Sequence, residues 1–336
     1  MSRTTIIAEI AQAHDGSLGI LHSYIDALAA AGVDVVKFQT HIAHAESSDA
    51  EPFRINFSYE DATRYDYWAR MGFSEQQWVG IKAHCDEAGV EFMSSPFSQA
   101  AVDLLERIGV KRYKVGSGEV TNFLLLEKLA RTGKPVIVSS GMSDFRELDA
   151  AVHFLQARGT EVSVMQCTTA YPTPAERIGF NVLSELRQRY PACAIGLSEH
   201  TARTATSVAA VALGAELLEF HAVFDRRMFG PDTSSSLTID EITNLVADVR
   251  FIEVAQNHPI TKDNLDAYRG LKSIFEKTLA VSRVLPKGHI LTFEDLEAKK
   301  PAGQGIPASE YKTVIGRELT APLEAYSFLD PSHLKS

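Results

Sequence analysis

One pattern recurs along the first 225 residues. A stretch with helical spacing of apolar side chains ends in glycine, and a short run rich in Val and Ile begins shortly after it. The junctions are Gly32 before 33–40, Gly89 before 90–95, Gly109 before 110–117, Gly133 before 135–139, Gly159 before 162–167 and Gly214 before 217–221. Pro191 takes the same stopping part before 193–198. Glycine suits the left-handed position just past a helix end, and proline cannot continue a helix. Together with 5–10 these runs make eight strands. Between them, 23–31 gathers Tyr24, Ile25, Leu28 and Ala29 on one helical face, and 74–88 opens with a Ser-Glu-Gln-Gln capping box. A last helix is expected from Thr238 to Gln256, opening with Thr-Ile-Asp-Glu.

Eight strands alternating with helices predict an α/β protein with a parallel sheet, and eight is the number that closes a (β/α)8 TIM barrel. An open doubly wound sheet is the alternative, lowered by the lack of G-x-G-x-x-G after the first strand. Beyond residue 258 the character changes. Residues 258–269 are polar and include Pro259, and the later chain breaks into short pieces around the Pro286-Lys287-Gly288 turn and a Pro- and Gly-rich stretch, 299–307. The expected organisation is a barrel domain over 1–258, a linker over 259–278 and a small β-rich domain over 279–336. A module that small is marginal alone and is expected to pack on something.

Composition narrows the function classes. With 336 residues, 45% hydrophobic and 23% charged, the chain is long enough for a large core without disulfides. Thirty-three Lys and Arg against 43 Asp and Glu give a net charge of −10, which repels nucleic-acid backbones and anionic lipid. Neither partner is expected. The three cysteines, Cys85, Cys167 and Cys193, form no C-x-x-C pair and read as thiols of a reducing compartment. The start, Met1-Ser-Arg-Thr-Thr5, has no apolar signal core. The longest apolar run, 207–224, is interrupted by Gly214, Glu216, Glu219 and His221, against a membrane span. A cytoplasmic protein is expected.

Barrel enzymes carry their chemistry at the C-terminal ends of the strands. Those ends hold Glu9, Gln12, His14 and Asp15; Lys37, Gln39 and His41; Ser94 and Ser95; Lys114, Ser117 and Glu119; Ser139 and Ser140; Thr168, Thr169 and Tyr171; Ser198, Glu199 and His200; and His221. Barrel interiors are filled mainly by branched apolar side chains, and a buried lysine is costly unless paired. Lys37 and Lys114 alternate with apolar neighbours and so face the lumen or the helix layer. Each alone reads as a structural ion pair. Both together, with serines and the turns Gly116-Ser-Gly118 and Ser139-Ser-Gly141, read as an anion pocket. His200 and His221 end adjacent strands, where neutral imidazoles can hold a divalent metal or simply be hydrogen-bonded in the core; His14, His41 and His44 compete for that role. Glu9 and Glu119 can orient or deprotonate, or neutralise a lysine. Cys167 is a weak nucleophile candidate, since the sequence places no base beside it.

Taken in order, these segments resemble the sialic acid (N-acetylneuraminate) synthase family. The similarity rests on Ile7-Ala-Glu-Ile-Ala-Gln-Ala-His14-Asp-Gly16, Val36-Lys-Phe-Gln-Thr40, Phe92-Met-Ser-Ser-Pro-Phe97, Lys114-Val-Gly-Ser-Gly-Glu119, Ser139-Ser-Gly-Met142, Gln166-Cys-Thr-Thr-Ala-Tyr-Pro-Thr-Pro174, Gly196-Leu-Ser-Glu-His-Thr201, Glu219-Phe-His221 and Gly230-Pro-Asp232. The tail from about Leu279 resembles that family's small antifreeze-like (SAF) domain.

The resemblance implies condensation of phosphoenolpyruvate with an open-chain amino sugar. Lys37, Ser95, Lys114, Ser117, Ser139 and Ser198 would hold the phosphate and carboxylate. His200 and His221 would hold a divalent metal, Mn2+ first and Mg2+ second. Gln39, Glu119, Tyr171 and Asp232 would contact the sugar, and Glu119, or else Glu9, would position water. It also implies a domain-swapped homodimer. Three positions depart from the family pattern. Ala13-His14-Asp15-Gly16 replaces Asn-His-Asn-Gly, Thr169 stands where an asparagine helps bind phosphoenolpyruvate, and Lys300 stands where an arginine reaches the sugar's N-acetyl group. N-Acetylmannosamine is the first acceptor expected, with a diamino-trideoxy hexose leading to a legionaminic- or pseudaminic-type acid as the alternative. A phosphorylated-sugar condensing enzyme, using Arg226 and Arg227, and a non-catalytic sugar-binding protein are the remaining readings.

Overall fold

The computed structural model describes residues 3–55 and 57–335; Met1 and Ser2, part of the leader argument, lie outside that range. The chain divides into two compact units, 3–258 and 259–335.

In the first unit eight parallel strands close on themselves. They are β1 Thr5–Glu9, β2 Val35–Thr40, β3 Glu91–Pro96, β4 Tyr113–Val115, β5 Val136–Ser139, β6 Val162–Cys167, β7 Ile195–Glu199 and β8 Leu217–Val223. Neighbours pair in order, and β1 pairs with β8 through Thr5↔Leu217 to Glu9↔His221, which completes the barrel. The helices between them end as the glycine pattern requires. Gly32, Gly89, Gly109, Gly133, Gly159 and Gly214 all adopt positive φ, between 70° and 90°. Ser74 and Thr238 cap their helices with reciprocal boxes. The first helix begins at Leu18, earlier than its apolar spacing suggests, because Ser17 caps it by accepting from Ile20 N–H. β4 is shorter than the run 110–117: at Gly116 the backbone leaves the ladder, and Ser117–Glu119 forms a 3₁₀ turn.

Strand side chains alternate between two buried faces. One face, including Ile6, Ala8, Val36, Phe38, Phe92, Val138 and Val164, packs against the helices in the large core. The other faces the lumen, where Ile7, Val35, Met93, Ile137, Met165 and Leu217 form a closed apolar plug. Burying such a side chain stabilises by roughly 1.5–3 kcal/mol. Two residues further along each of these strands stand Glu9, Lys37, Ser95, Ser139, Cys167 and Glu219, all buried. The plug is therefore the floor beneath a polar layer.

The second unit holds an antiparallel pair, Thr278–Val281 with Leu296–Lys299, around a core that includes Leu279, Val281, Leu285, Leu291, Leu319 and Leu329. Residues 259–277 group with it and contain the short helix Arg269–Phe275. Asp295, fully buried, accepts from Arg283 (2.7 Å), the Thr292 N–H (2.9 Å) and His289 (2.7 Å). These bonds hold its carboxyl well below the usual range against the opposing effect of burial. No helix among the described residues is long and apolar enough to cross a membrane.

Candidate active site

The polar layer is a charge network. Lys37 lies beside Glu9 in register across β1 and β2 and is ion-paired to it. Its Nζ also reaches Ser95 Oγ (3.4 Å) and Glu219 Oε1 (3.7 Å). Lys114 donates to both oxygens of Glu219, at 2.7 and 2.9 Å, and Ser198 Oγ donates to Glu219 Oε1 at 3.0 Å. All four ionic side chains are at most 4% exposed. Burial pushes the Lys37 ammonium down from its ordinary range, opposed by the Glu219 carboxylate and aided by the neighbouring Lys114. Burial would raise the Glu219 carboxyl, but Lys114 and Lys37 outweigh it and hold it low. Two lysines are matched by two glutamates in this layer.

Glu219 is the member that motif reading missed. Its signal was available: Leu217, Glu219 and His221 alternate, so they share the lumen face. Glu9 proves to be the counter-ion of Lys37, with Oε1 also accepting from Ala11 N–H at 3.1 Å. Of its two open roles, the structure shows neutralisation.

His200 and His221 stand side by side, ring centroids 5.2 Å apart, with the Tyr171 ring 4.3 Å from His200 and 6.1 Å from His221. Burial drives the His200 pKa down to about 3, and the neighbouring His221 adds to this; burial lowers His221 also. Both rings are neutral. Nδ1 of His200 faces the Thr168 carbonyl at 3.3 Å, so it carries the proton and leaves Nε2 as a lone-pair donor. Nδ1 of His221 faces Asp232 at 3.9 Å. Among the described residues no three His, Cys, Asp or Glu side chains make a metal-holding group. The donor set fits a cation that takes two imidazole nitrogens from the protein and its other ligands from water and substrate.

The competitors are placed elsewhere. His14 packs on Phe73, and its Nδ1 accepts from Gly16 N–H at 3.0 Å; His44 is exposed; His41 lies in an aromatic stack. Glu199 is engaged by Thr201, whose N–H (2.7 Å) and Oγ1 (2.6 Å) donate to it. Cys167 lies 3.9 Å from His200 Nδ1, but that nitrogen carries the proton and is no base, and burial raises the thiol pKa and disfavours the thiolate.

Above this layer opens a cleft of about 510 Å³, lined by Gln39, Ser117, Glu119, Thr169 and Tyr171 among the expected residues. Ser117 Oγ accepts from Gly141 N–H at 3.1 Å. A Cβ at Gly141 would fall 2.6 Å from both Ser117 Oγ and Thr169 Oγ1, so only glycine lets these loops meet. Glu119 accepts from Asn122 at 2.7 Å, and burial raises its carboxyl pKa. Ser139 ends β5 in the same buried layer.

The cleft is completed by the long connection after β2, which supplies His41, Glu46, Glu51, Arg54, Arg64 and Trp68. Of these only His41 was singled out in the sequence; Glu46, Glu51, Arg54, Arg64 and Trp68 belong to no strand end and so carried no signal of that kind. Arg54 lies 4.3 Å from the Tyr171 ring centroid and pairs with Asp232 at 2.7 Å, fastening two of the expected sugar contacts together. Arg226 and Arg227 are spent on Glu241 and Asp225. Lys300, in the second unit, lies with its ammonium 4.7 Å from the Phe275 ring centroid.

Comparison with known proteins agrees with the resemblance read from the sequence. The model of the NeuB family matches residues 24–261, and that of the SAF domain matches residues 276–335. The N,N'-diacetyllegionaminic acid synthase of Campylobacter jejuni is 31% identical over 95% of this chain and 97% of its own length. The human N-acetylneuraminate-9-phosphate synthase is 32% identical over 95% of this chain and 89% of its own. The crystal structure of an N-acetylneuraminic acid synthetase from Leptospira borgpetersenii, in complex with citrate, superposes with a TM-score of 0.70 at 25% identity, covering 80% of this chain and 90% of that one.

Proposed function

Since the chain belongs to the NeuB family and carries a SAF domain after its barrel in the sequence, we propose that it condenses phosphoenolpyruvate with an open-chain N-acylated hexosamine, giving a nonulosonic acid and phosphate. The observation that carries this reading is the buried network of Lys37, Lys114, Glu9 and Glu219 at the strand ends, directly below a cleft of sugar size. Two lysines at most 4% exposed cost stability that a barrel built only to fold would avoid.

Lys37 and Lys114, with Ser95, Ser117, Ser139 and Ser198, bind the phosphate and carboxylate of phosphoenolpyruvate. Gln39, Tyr171 and Asp232 orient the acceptor, with Thr169 at the cleft wall. His200 and His221 would hold a divalent cation, manganese or magnesium, which when bound makes the acceptor aldehyde more electrophilic. Carbon 3 of phosphoenolpyruvate forms the new bond to the aldehyde carbon, whose oxygen takes a proton. The positive charge left at carbon 2 is met by water. Glu119 positions that water and accepts its proton, a role suited to a carboxylate made more basic by burial. The carbon–oxygen bond to phosphate then breaks, phosphate leaves with both electrons, and carbon 2 becomes a ketone. The buried ammoniums offset the charge that gathers on the departing phosphate.

The acceptor is first N-acetylmannosamine and second a diacetamido-trideoxy hexose. A phosphorylated acceptor is disfavoured, because Arg226 and Arg227 already have partners and the cleft's Arg54 and Arg64 pair with Asp232 and Glu51. In a domain-swapped homodimer, Lys300 would take the place of the family's sugar-reading arginine in a partner's cleft.

The test is a panel of N-acetylated, diacetamido and phosphorylated aldoses with phosphoenolpyruvate and Mn2+, following phosphate release and product mass. An N-acetylated acceptor should yield a nine-carbon acid with equimolar phosphate. Reaction only with phosphorylated aldoses, or with none, would overturn the assignment.

A further inference from the structure

His41 is a buried histidine that the chemistry above leaves unused. Its ring is clamped between Trp68 (centroids 3.8 Å, planes at 16°) and Phe97 (4.5 Å, 10°). Nδ1 meets Glu46 Oε1 at 2.5 Å, and Glu46 is itself fixed because its other oxygen accepts from Ile42 N–H at 3.2 Å. Nε2 meets Gln39 Oε1 at 3.1 Å. The same Gln39 oxygen accepts from Gln12 Nε2 at 2.9 Å. Because the Gln39 carbamoyl oxygen can only accept, His41 Nε2 is a donor to it.

The consequence falls on Gln39. A carbamoyl group has one oxygen and one NH2, and two donors from behind engage the oxygen. The NH2 is thereby turned to the cleft that Gln39 lines.

We propose that His41, braced by Glu46 and the Trp68–Phe97 stack, is a positioning residue that holds Gln39 with its amide N–H groups aimed at an oxygen of the open-chain acceptor. The recognised group is a hydroxyl or carbonyl oxygen, because a fixed pair of N–H donors repels an ammonium and leaves a deoxy position unpartnered. The loop after β2 thus sets acceptor selectivity without touching the phosphoenolpyruvate layer. This inference rests on the condensation reading for the identity of the acceptor.

The experiment compares the full-length wild type with His41→Leu, which removes the ring nitrogens and with them the Nε2 donor, and His41→Gln, whose amide nitrogen can stand in for Nε2. Two readouts are taken: KM for N-acetylmannosamine and for phosphoenolpyruvate with Mn2+ present, and calorimetric affinity for N-acetylmannosaminitol, an open-chain alcohol that cannot react. His41→Leu should raise acceptor KM and weaken the alditol by about tenfold, the size of one lost hydrogen bond, with phosphoenolpyruvate KM within about twofold. His41→Gln should recover most of the loss. Should His41→Leu not fold, Glu46→Gln carries the same comparison. Unchanged acceptor constants, or an equal rise in phosphoenolpyruvate KM, would overturn the positioning role. A wild type that binds the alditol but condenses no aldose defeats the condensation reading alone, and His41 is then judged on alditol affinity. A wild type that binds neither this alditol nor the alditol of the diacetamido-trideoxy hexose, and condenses neither aldose, defeats both.

Discussion

The floor and the ceiling of the barrel lumen come from the same strands, two residues apart, and could hardly differ more. The floor is Ile7, Val35, Met93, Ile137, Met165 and Leu217; the layer above is Glu9, Lys37, Ser95, Ser139, Cys167 and Glu219, joined by Lys114 and Ser198. The floor is stable whatever is bound, because its free energy comes from apolar area removed from water. The upper layer takes four charges out of water, a cost of several kcal/mol per ion before pairing offsets it. One sequence period thus separates the part of the lumen that folds the protein from the part that acts on a ligand.

Removing one charge should have the largest effect. Lys114→Ala leaves Glu219 buried with its main partner gone. Steady-state kinetics should show kcat/KM for phosphoenolpyruvate down by roughly a thousandfold or more, and urea unfolding should show a loss of about 3–5 kcal/mol. Met165→Ala, in the floor of the same barrel, should cost about 2–5 kcal/mol in the same unfolding experiment. Its kcat/KM should stay within about threefold of wild type at a temperature where the variant is folded. Equal losses of activity in the two variants would erase the distinction between the layers.

A smaller effect sharpens the contrast by pH. His200 and His14 are held by burial to about 3 and about 4 in the folded protein, against 6.5 when exposed. Both are depressed, so the unfolded chain binds protons first as pH falls. Their contribution to stability is complete above about 6.5 and is lost progressively as pH drops toward those lower values. Urea midpoints of the metal-free protein should fall across that window, by at most about 1.4 kcal/mol per unit for each group. His200→Asn should flatten the slope, while Met165→Ala should leave it unchanged.

How much of this was legible in the sequence follows the same division. Strands and helices were readable because glycine precedes six of the strands and Pro191 a seventh, and because period two carries Lys37, Lys114 and Ser198 to the lumen. The misplaced edges had local causes: Ser17 caps a helix that its apolar face alone starts later, and Gly116 turns the chain out of β4 early. Which groups pair was not legible. Glu219 had the right alternation, yet its role depends on Lys114, which lies 105 residues earlier in the chain. Arg54, Arg64 and Trp68 come from the connection after β2, away from any strand end, and only the folded chain brings Arg54 to Tyr171 and Asp232.

The most direct measurement follows the bridging oxygen of phosphoenolpyruvate. Substrate carrying 18O between carbon 2 and phosphorus is turned over with N-acetylmannosamine and Mn2+, and the products are read by 31P NMR and mass spectrometry. Addition of water at carbon 2 above the Lys37–Lys114 layer, followed by carbon–oxygen cleavage, should leave the label in the released phosphate and none in the nine-carbon acid. Label retained in the acid would contradict it.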